Sequence, residues 1–353
     1  MRWQQYTGWM LLSTLLVIAA VTAIHLSGIR MASRINDWGV YAEITGVVIL
    51  IGLMVASWIA SEKMSGPDLR SVISTFSNQT PGFSALSLSL LLGAWCLTGF
   101  EAAADLAEET RSPQTIIPRA IRQSLLVSGT TGFLILFLIC VLGSSYTAAP
   151  KDSHPLLYIL ENSIGTRATA FLLWMVVISI LACAVASMAT ASRLLFSMAR
   201  DGMLPYSGML SHVNKKTKTP HYAILLVGIL GCLAIITFRE IEVITSVSAI
   251  LGYIGYAGIM WSSIRKNAGA SFSDRSGERP FTAVLALIWA GVVVAALAIP
   301  ETQLPATRLT HVPVLAAVIA LFIGGLIYYY YTRPKLRAGK AGPPPLKIGR
   351  AHV

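Results

Sequence analysis

Residues 92–109 read LGAWCLTGFEAAADLAEE, and they decide what kind of helix the third apolar stretch of this chain forms. Gly93 and Gly99 predict a break in the helix, and Glu101 and Asp105 follow while the chain is still in the stretch. A carboxylate inside a bilayer costs on the order of 2.5–3.5 kcal/mol. Interrupted helices with polar groups at mid-membrane are typical of secondary transporters. The alternative is that Glu101 and Asp105 lie near the headgroups, one or two turns from the next loop.

The composition of the whole chain favours lipid as its main solvent. Of its 353 residues 55% are hydrophobic and only 12% are charged, and the mean hydropathy is +0.67. Soluble domains carry about 25% charged residues. The formal net charge of +11 would suggest nucleic acid as the partner of a soluble protein. In a membrane protein it indicates basic cytoplasmic loops, so we expect a lipid bilayer and no nucleic acid as partner.

Nine apolar stretches have the length of a membrane span, which is about 20 residues. Unpaired backbone groups are not tolerated in lipid, so each stretch is predicted to be a helix. The sequence therefore predicts an all-α polytopic membrane protein with one transmembrane domain, residues 1–332. The predicted spans are 9–29, 40–60, 86–104, 125–146, 168–188, 222–238, 241–264, 281–299 and 312–331.

The distribution of Lys and Arg predicts the orientation of these spans. The loops after spans one, three, five and seven, together with the C-terminal tail, hold 20 of the 27 basic residues. The opposite side holds the other seven. Because cytoplasmic loops are enriched in Lys and Arg, we expect a cytoplasmic C-terminus and an N-terminus outside. The regular alternation favours nine spans over eight or ten.

The tail at residues 333–353 differs in composition from the spans. It contains three consecutive prolines at 343–345 and no apolar run, so it is predicted to be disordered. Its last six residues, IGRAHV, resemble the translation of a common sequencing-library adapter. We hypothesise that this end of the tail is an assembly artefact, which resequencing of the locus through this junction would test.

Five further polar residues in the spans are candidates for function. Glu43 is a candidate proton carrier, although its position one turn into the second span also allows it to reach the surface. Ser187 and Thr190 could present hydroxyl groups to a solute, but the small residues around them also favour close helix packing. Tyr253 and Tyr256 are candidate cavity-lining residues, and packing or interfacial positions are the alternative.

The motifs of several other protein classes are missing from the sequence. It contains no phosphate-binding loop, no dinucleotide fingerprint, no HExxH and no nucleophile elbow. The six histidines are scattered. We therefore expect neither an enzyme nor a cofactor or metal site. Transport by such a chain has to be secondary, which means that an ion or solute gradient drives it.

Two long motifs resemble the amino acid–polyamine–organocation (APC) permeases. Residues 95–118 are similar to the sixth helix of that superfamily and the loop after it, and residues 191–205, with Thr219 and Pro220, are similar to the end of its eighth helix. Residues 32–43 resemble its fourth-to-fifth helix junction, and Arg279-Pro280 the entry to its eleventh helix. The details favour the amino acid/choline branch, which is GABA-permease-like.

This resemblance implies a role for several residues. Trp95 matches the aromatic gate over the substrate, and Cys96, Leu97, Thr98 and Gly99 match the unwound segment that binds it. Glu101 matches an acidic residue that senses protons. Glu43 falls where some members have a lysine for proton coupling, so the coupling ion stays open. The implied fold has twelve helices, ten of them in two inverted five-helix repeats.

The resemblance also implies that the first three of the twelve helices are missing, so that this chain corresponds to helices four to twelve. The expected function is secondary, proton-coupled transport of amino acids or related amines by alternating access. The expected location is a bacterial inner (plasma) membrane. The alternative function is an amino-acid-binding membrane sensor that does not transport, or a non-functional permease fragment.

Overall fold

Helices are the only regular elements in the part of the chain that the structure describes. This structure is a computed structural model, and it describes residues 8–62, 89–90, 93–107, 110–143, 155–238, 241–269, 280–298, 308–338 and 342. In chain order the helices are α1 (Gly8–Ser27), α2 (Ile29–Glu62), α3 (Ala102–Asp105), α4 (Pro113–Gly143), α5 (Pro155–Ile164), α6 (Thr166–Arg200), α7 (Ser207–Leu210), α8 (His221–Phe238), α9 (Ile241–Gly269), α10 (Pro280–Ala298) and α11 (Arg308–Arg337).

Seven of these helices are long and apolar enough to cross a membrane, namely α1, α2, α4, α6, α8, α9 and α11. The apolar part of α10, Phe281–Leu297, is slightly shorter. The predicted third span, 86–104, lies partly outside the described residues. The chain is therefore an all-helical, multi-pass membrane protein. The total of nine spans and the inverted repeat stay predictions.

Large apolar side chains cover the outside of the helix bundle. Phe133 on α4, Trp174 on α6 and Phe281 on α10 are each about two-thirds or more exposed, at 67%, 70% and 69%. Soluble proteins avoid contiguous apolar surfaces of this kind, whereas lipid tails are as apolar as these side chains. The outer surface therefore fits contact with hydrocarbon.

The junction of α1 and α2 consists of one residue. Gly28 has a backbone φ of +134°, a conformation that favours glycine, and it lets the chain change direction between the two helices. The second helix consequently begins at Ile29 rather than at the predicted span start, Val40. Residues 30–39, which the sequence analysis assigned to a loop, are helical. With 34 residues, α2 is about 51 Å long and exceeds the roughly 30 Å hydrocarbon core.

Two buried clusters hold α1, α2, α4, α6 and α8 together. The first cluster joins α1, α6 and α8 and consists of Val21, Val185, Met188 and Ile224. The second joins α2 and α4 and consists of Met54, Leu138 and Leu142, with α5 packed against it. Because α2 also packs along α6, these helices form one connected group.

A third buried cluster joins the C-terminal helices to the start of the broken third span. It contains Val243, Val247 and Ile250 of α9, Val293 of α10, Val318 of α11 and also Ala94. Residues 93–96 form a short helical segment, so this contact fixes the position of the chain immediately before the break.

The packing of α2 on α6 generates a test of the fold. Gly39 has no room for a methyl group, because an added Cβ would overlap the Cβ of Ala182 and lie 3.3 Å from its Cα. We expect Gly39→Ala to cost about 1–3 kcal/mol of stability, which lowers the thermal transition in detergent measured by size-exclusion chromatography with fluorescence detection.

The matched control is Gly52→Ala on the same helix, where an added Cβ has no neighbour within 4 Å. This change should leave the transition unchanged or raise it slightly, since Ala favours helix over Gly. Ala182→Gly should restore the stability of the Gly39→Ala variant. Equal transitions for the two alanine variants would contradict the close approach of α2 to α6.

Candidate functional site

The helix around Trp95 is interrupted, and the interruption overlaps the stretch between Gly93 and Gly99 where the sequence predicts a break, although Cys96 is still helical. Residues 93–96 are helical, residues 97–101 are not, and α3 begins at Ala102. Gly99 has a φ of +95°, which L-residues rarely adopt. The Thr98 hydroxyl donates a 2.7 Å hydrogen bond to the Trp95 carbonyl, and the Thr98 N–H donates to the same oxygen at 3.1 Å. The chain thus turns tightly just after Trp95.

The break leaves backbone acceptors open. Among the described residues, no donor reaches the carbonyl oxygen of Leu97 or of Thr98. In a continuous helix these two carbonyls would accept from N–H groups one turn later in the chain. Open carbonyls in an apolar span suit a solute that brings its own hydrogen-bond donors, because an unsatisfied polar group in lipid costs several kcal/mol.

The side chain of Glu101 accepts a hydrogen bond from a backbone N–H group inside the break. Its Oε2 atom accepts a 3.0 Å hydrogen bond from the Gly99 N–H. Tyr256 of α9 lies close enough to the same carboxyl group for the two side chains to interact electrostatically. Glu101 and Asp105 are half-buried and close enough to interact electrostatically. The carboxyl group of Glu101 therefore links the interrupted backbone to α9.

An aromatic cluster lies beside this carboxyl group. Phe100 stacks on Tyr256 with a centroid distance of 5.3 Å and an interplanar angle of 30°. Tyr253 meets Tyr256 edge to face at 5.6 Å, and Trp289 of α10 lies near Tyr253. The sequence analysis singled out both tyrosines but missed Phe100 and Trp289. The position of Phe100 directly after Gly99 could have marked it in the sequence. Nothing in the sequence singled out Trp289.

A cavity of about 850 Å³ adjoins the chain immediately after the break. Its inner wall consists of Ala102, Ala103 and Leu106 from α3 and the segment after it, and of Val185, Ala186, Ala189 and Thr190 from α6. Thr190, a predicted cavity-lining residue, does line this cavity. Ser187 does not, and its carbonyl instead accepts a 3.1 Å hydrogen bond from the Thr190 hydroxyl.

The remaining predicted site residues lie outside this cavity. Trp95 and Leu97 are 39% and 41% exposed, and Cys96 is exposed as well. Glu43 is exposed on α2 and does not line the cavity. Tyr253 and Tyr256 meet the break from the α9 side, away from the cavity lining. The structure thus brings Glu101, Tyr253 and Tyr256 together and leaves Glu43 apart from them.

Comparison with known proteins agrees with this arrangement of apolar spans around a broken helix. The family described as amino acid permease matches residues 2–325. The chain belongs to the amino acid permease family. This assignment confirms the resemblance to APC permeases, and the similar proteins are permeases rather than enzymes.

Several curated proteins are similar to this chain. An uncharacterized amino-acid permease of Schizosaccharomyces pombe is 25% identical over 341 residues, which are 94% of this chain and 61% of the relative. The low-affinity putrescine importer PlaP of Escherichia coli K12 is 29% identical over 65% of this chain and 49% of its own length. A polyamine transporter of Saccharomyces cerevisiae is 23% identical over 83% and 49%. The chain spans about half the length of such relatives.

The conformation of Gly99 generates a test of the break. Gly99→Ala places a side chain on a backbone with φ of +95°, although no neighbour lies within 4 Å of the added Cβ. We expect a stability loss of about 1–3 kcal/mol from backbone strain alone, visible as a lower thermal transition in detergent.

Gly93→Ala is the matched control, because Gly93 is helical and an added Cβ there also has open space. It should be neutral or slightly stabilising. If Gly99→Ala is as stable as Gly93→Ala, the chain does not need the left-handed conformation at residue 99.

Proposed function

We propose that this chain contains the substrate site of a secondary transporter for amino acids or related amines. The observation that carries the proposal is the break at residues 97–101, where the carbonyl groups of Leu97 and Thr98 find no donor among the described residues. Carbonyl oxygens accept hydrogen bonds from an ammonium group, and amino acids and amines share that group. The names of the relatives, which include amino-acid permeases and a putrescine importer, support the same two substrate classes.

The substrate would bind between the break and α6. Cys96, Leu97, Thr98 and Gly99 supply the backbone groups, and Trp95 covers them as an aromatic gate. What supports this placement is the cavity between α3 and α6, since its wall of small residues leaves room for a solute that moves away from the break. Alternating access then exposes the site first to one side of the membrane and then to the other.

Glu101 is the candidate for proton coupling. Its carboxyl group accepts a hydrogen bond from the Gly99 N–H and interacts electrostatically with Tyr256, so it lies between the break and α9. An ionised carboxylate accepts hydrogen bonds with both oxygens, whereas a protonated one uses one oxygen as a donor. Protonation would therefore change the charge and the hydrogen bonding of a group that lies between the break and α9. Glu43 is the second candidate, although it lies apart from the break.

We also propose that the protein lies in a bacterial inner (plasma) membrane, with nine spans that are part of an inverted-repeat fold and with a cytoplasmic C-terminus. The threefold excess of Lys and Arg on one side supports this orientation. Reporter fusions at the C-terminus and in the segment 144–154 should give opposite sidedness.

Transport is tested with the purified chain in proteoliposomes that carry an imposed pH gradient. Radiolabelled amino acids and putrescine are offered outside, and accumulation above empty liposomes supports transport. Binding of the same compounds in detergent without accumulation would favour the sensor. Neither binding nor accumulation would favour a non-functional fragment, and the full gene product should then be assayed for comparison.

Replacing Trp95 tests the gate. Trp95→Ala should raise the Kd or KM of the substrate about tenfold or more, because burial of a large aromatic ring against a ligand contributes one or more kcal/mol. The thermal transition should not change, since Trp95 is 39% exposed. Trp174→Ala, at a 70% exposed position on α6, is the matched control. If the Trp95→Ala variant binds the substrate with unchanged affinity, Trp95 does not cover the substrate as a gate.

Replacing Glu101 tests the coupling. Glu101→Gln keeps the shape of the side chain but cannot gain or lose a proton, so uptake should become insensitive to the imposed pH gradient while exchange of labelled for unlabelled substrate continues. Glu43→Gln is the comparison and should retain the dependence on pH. The reverse result would assign coupling to Glu43.

A further inference from the structure

We propose that two contacts from the C-terminal part of the chain act as a latch that holds the end of α6. The latch consists of the Tyr328 side chain, near the end of α11, and of the backbone N–H of Gly342, which follows the end of α11 at Arg337. Both groups donate hydrogen bonds to the connection between α6 and α7. The latch itself does not depend on transport, and its effect on uptake rests on the proposed function.

Tyr328 supplies the first contact. Its hydroxyl group donates a 2.6 Å hydrogen bond to the Met203 carbonyl, which lies 125 residues earlier in the chain. Tyr328 is half-buried, whereas the three tyrosines that follow it, Tyr329, Tyr330 and Tyr331, are 49%, 62% and 68% exposed. A tyrosine hydroxyl that leaves water normally takes a hydrogen-bond partner. The four consecutive tyrosines are thus not equivalent, and Tyr328 is the one that reaches Met203.

Gly342 supplies the second contact. Its N–H donates a 2.8 Å hydrogen bond to the Asp201 carbonyl. Its φ of +106° lies in a region that L-residues with a side chain rarely adopt, so glycine suits this position. The Ala338 N–H still donates to the Pro334 carbonyl at 3.0 Å, as in the last turn of a helix. The chain beyond α11 therefore reaches the same connection that Tyr328 reaches.

The latch supplies hydrogen-bond donors at the end of α6. Three consecutive N–H groups, at residues 201–203, donate to carbonyls within residues 197–199 at 2.9–3.0 Å and close the last turn of the helix. Carbonyl groups at the end of a helix have no partner within it. The Asp201 and Met203 carbonyls lie immediately after this turn, and the latch donates to both. Opening of the latch therefore frees two acceptors and weakens the end of α6.

The latch also connects two groups of helices. The helix α6 shares one buried cluster with α1 and α8, and α11 shares another with α9, α10 and Ala94. The wall of the cavity includes Ala186, Ala189 and Thr190 of α6. A contact between two groups of helices stabilises the arrangement in which it forms, and it has to break before they separate there. The latch therefore favours the arrangement seen in this structure.

Hydrogen–deuterium exchange of the purified full chain in detergent, measured by mass spectrometry, tests the latch. The backbone amides of residues 201–203 exchange when the end of α6 opens. Tyr328→Phe removes the hydroxyl group and keeps the ring, so exchange at these amides should rise about two- to tenfold, as expected for the loss of one hydrogen bond. Gly342→Pro should have a similar effect, because proline has no N–H and cannot adopt a positive φ.

Two controls separate release of the latch from a general loss of stability. Tyr329→Phe removes a hydroxyl group from the next residue of α11, which is 49% exposed, and should leave exchange at residues 201–203 unchanged. The Thr169 amide, which donates to the Gly165 carbonyl at 3.0 Å at the opposite end of α6, is the internal reference. Its exchange should be the same in all variants.

Uptake into proteoliposomes tests the consequence for transport. Tyr328→Phe and Gly342→Pro should each raise the maximal rate of uptake by up to about tenfold, because each removes one hydrogen bond that favours the present arrangement. Tyr329→Phe should keep the rate of the unmodified chain.

The two measurements fail in different ways. Unchanged exchange at residues 201–203 in either Tyr328→Phe or Gly342→Pro would overturn the latch, and so would an equal rise in Tyr329→Phe or at Thr169. A selective rise in exchange together with unchanged or slower uptake would overturn the restraint on transport. If the unmodified chain takes up no solute, the proposed function fails, and the exchange results still decide whether the latch holds α6.

Discussion

Hydrocarbon offers no hydrogen bonds, and that single property of the bilayer shapes most of this protein. It forces the apolar stretches into long helices, because only a helix satisfies its own backbone within one segment. The same property makes the interruption at residues 97–101 costly, so the break persists only with compensation nearby. The Gly99 N–H is satisfied by the Glu101 carboxyl group, and the Trp95 carbonyl by Thr98. The Leu97 and Thr98 carbonyls keep their acceptor capacity, which suits a binding site.

The side chains around the break also determine which other helices the break contacts. Glu101 lies against Tyr256, and Phe100 stacks on the same ring, so α9 contacts the break through both a polar and an aromatic side chain. Ala94, just before the break, is buried in the cluster that α9, α10 and α11 share. The opposite side of α3 faces the cavity along α6. The segment from Ala94 to α3 therefore contacts two groups of helices rather than one.

The sequence could predict those features that depend on residues close together in the chain. Apolar length predicted the all-helical membrane fold, Gly93 and Gly99 predicted the break, and the motifs around residues 95–118 and 191–205 predicted the family. The start of α2 was harder. Residues 30–39 are polar enough to suggest a loop, but Gly28 alone makes the turn and the helix continues past the hydrocarbon, where polar side chains are no longer costly. Periodicity also did not tell which of Ser187 and Thr190 lines a cavity.

The sequence by itself therefore determined that this is a multi-pass helical membrane protein of the amino acid permease family with a helix interrupted close to Gly99. Only the tertiary structure decided which distant residues meet. It brought Tyr256 to Glu101, Trp289 to Tyr253, and Arg30 and Arg34 to Arg193 and Lys218 around one cavity. The physical reason is that backbone hydrogen bonding and membrane thickness act along short segments, which the sequence displays directly. Contacts between helices depend on how whole faces pack, and small residues such as Gly39 against Ala182 set that packing across long separations in the chain.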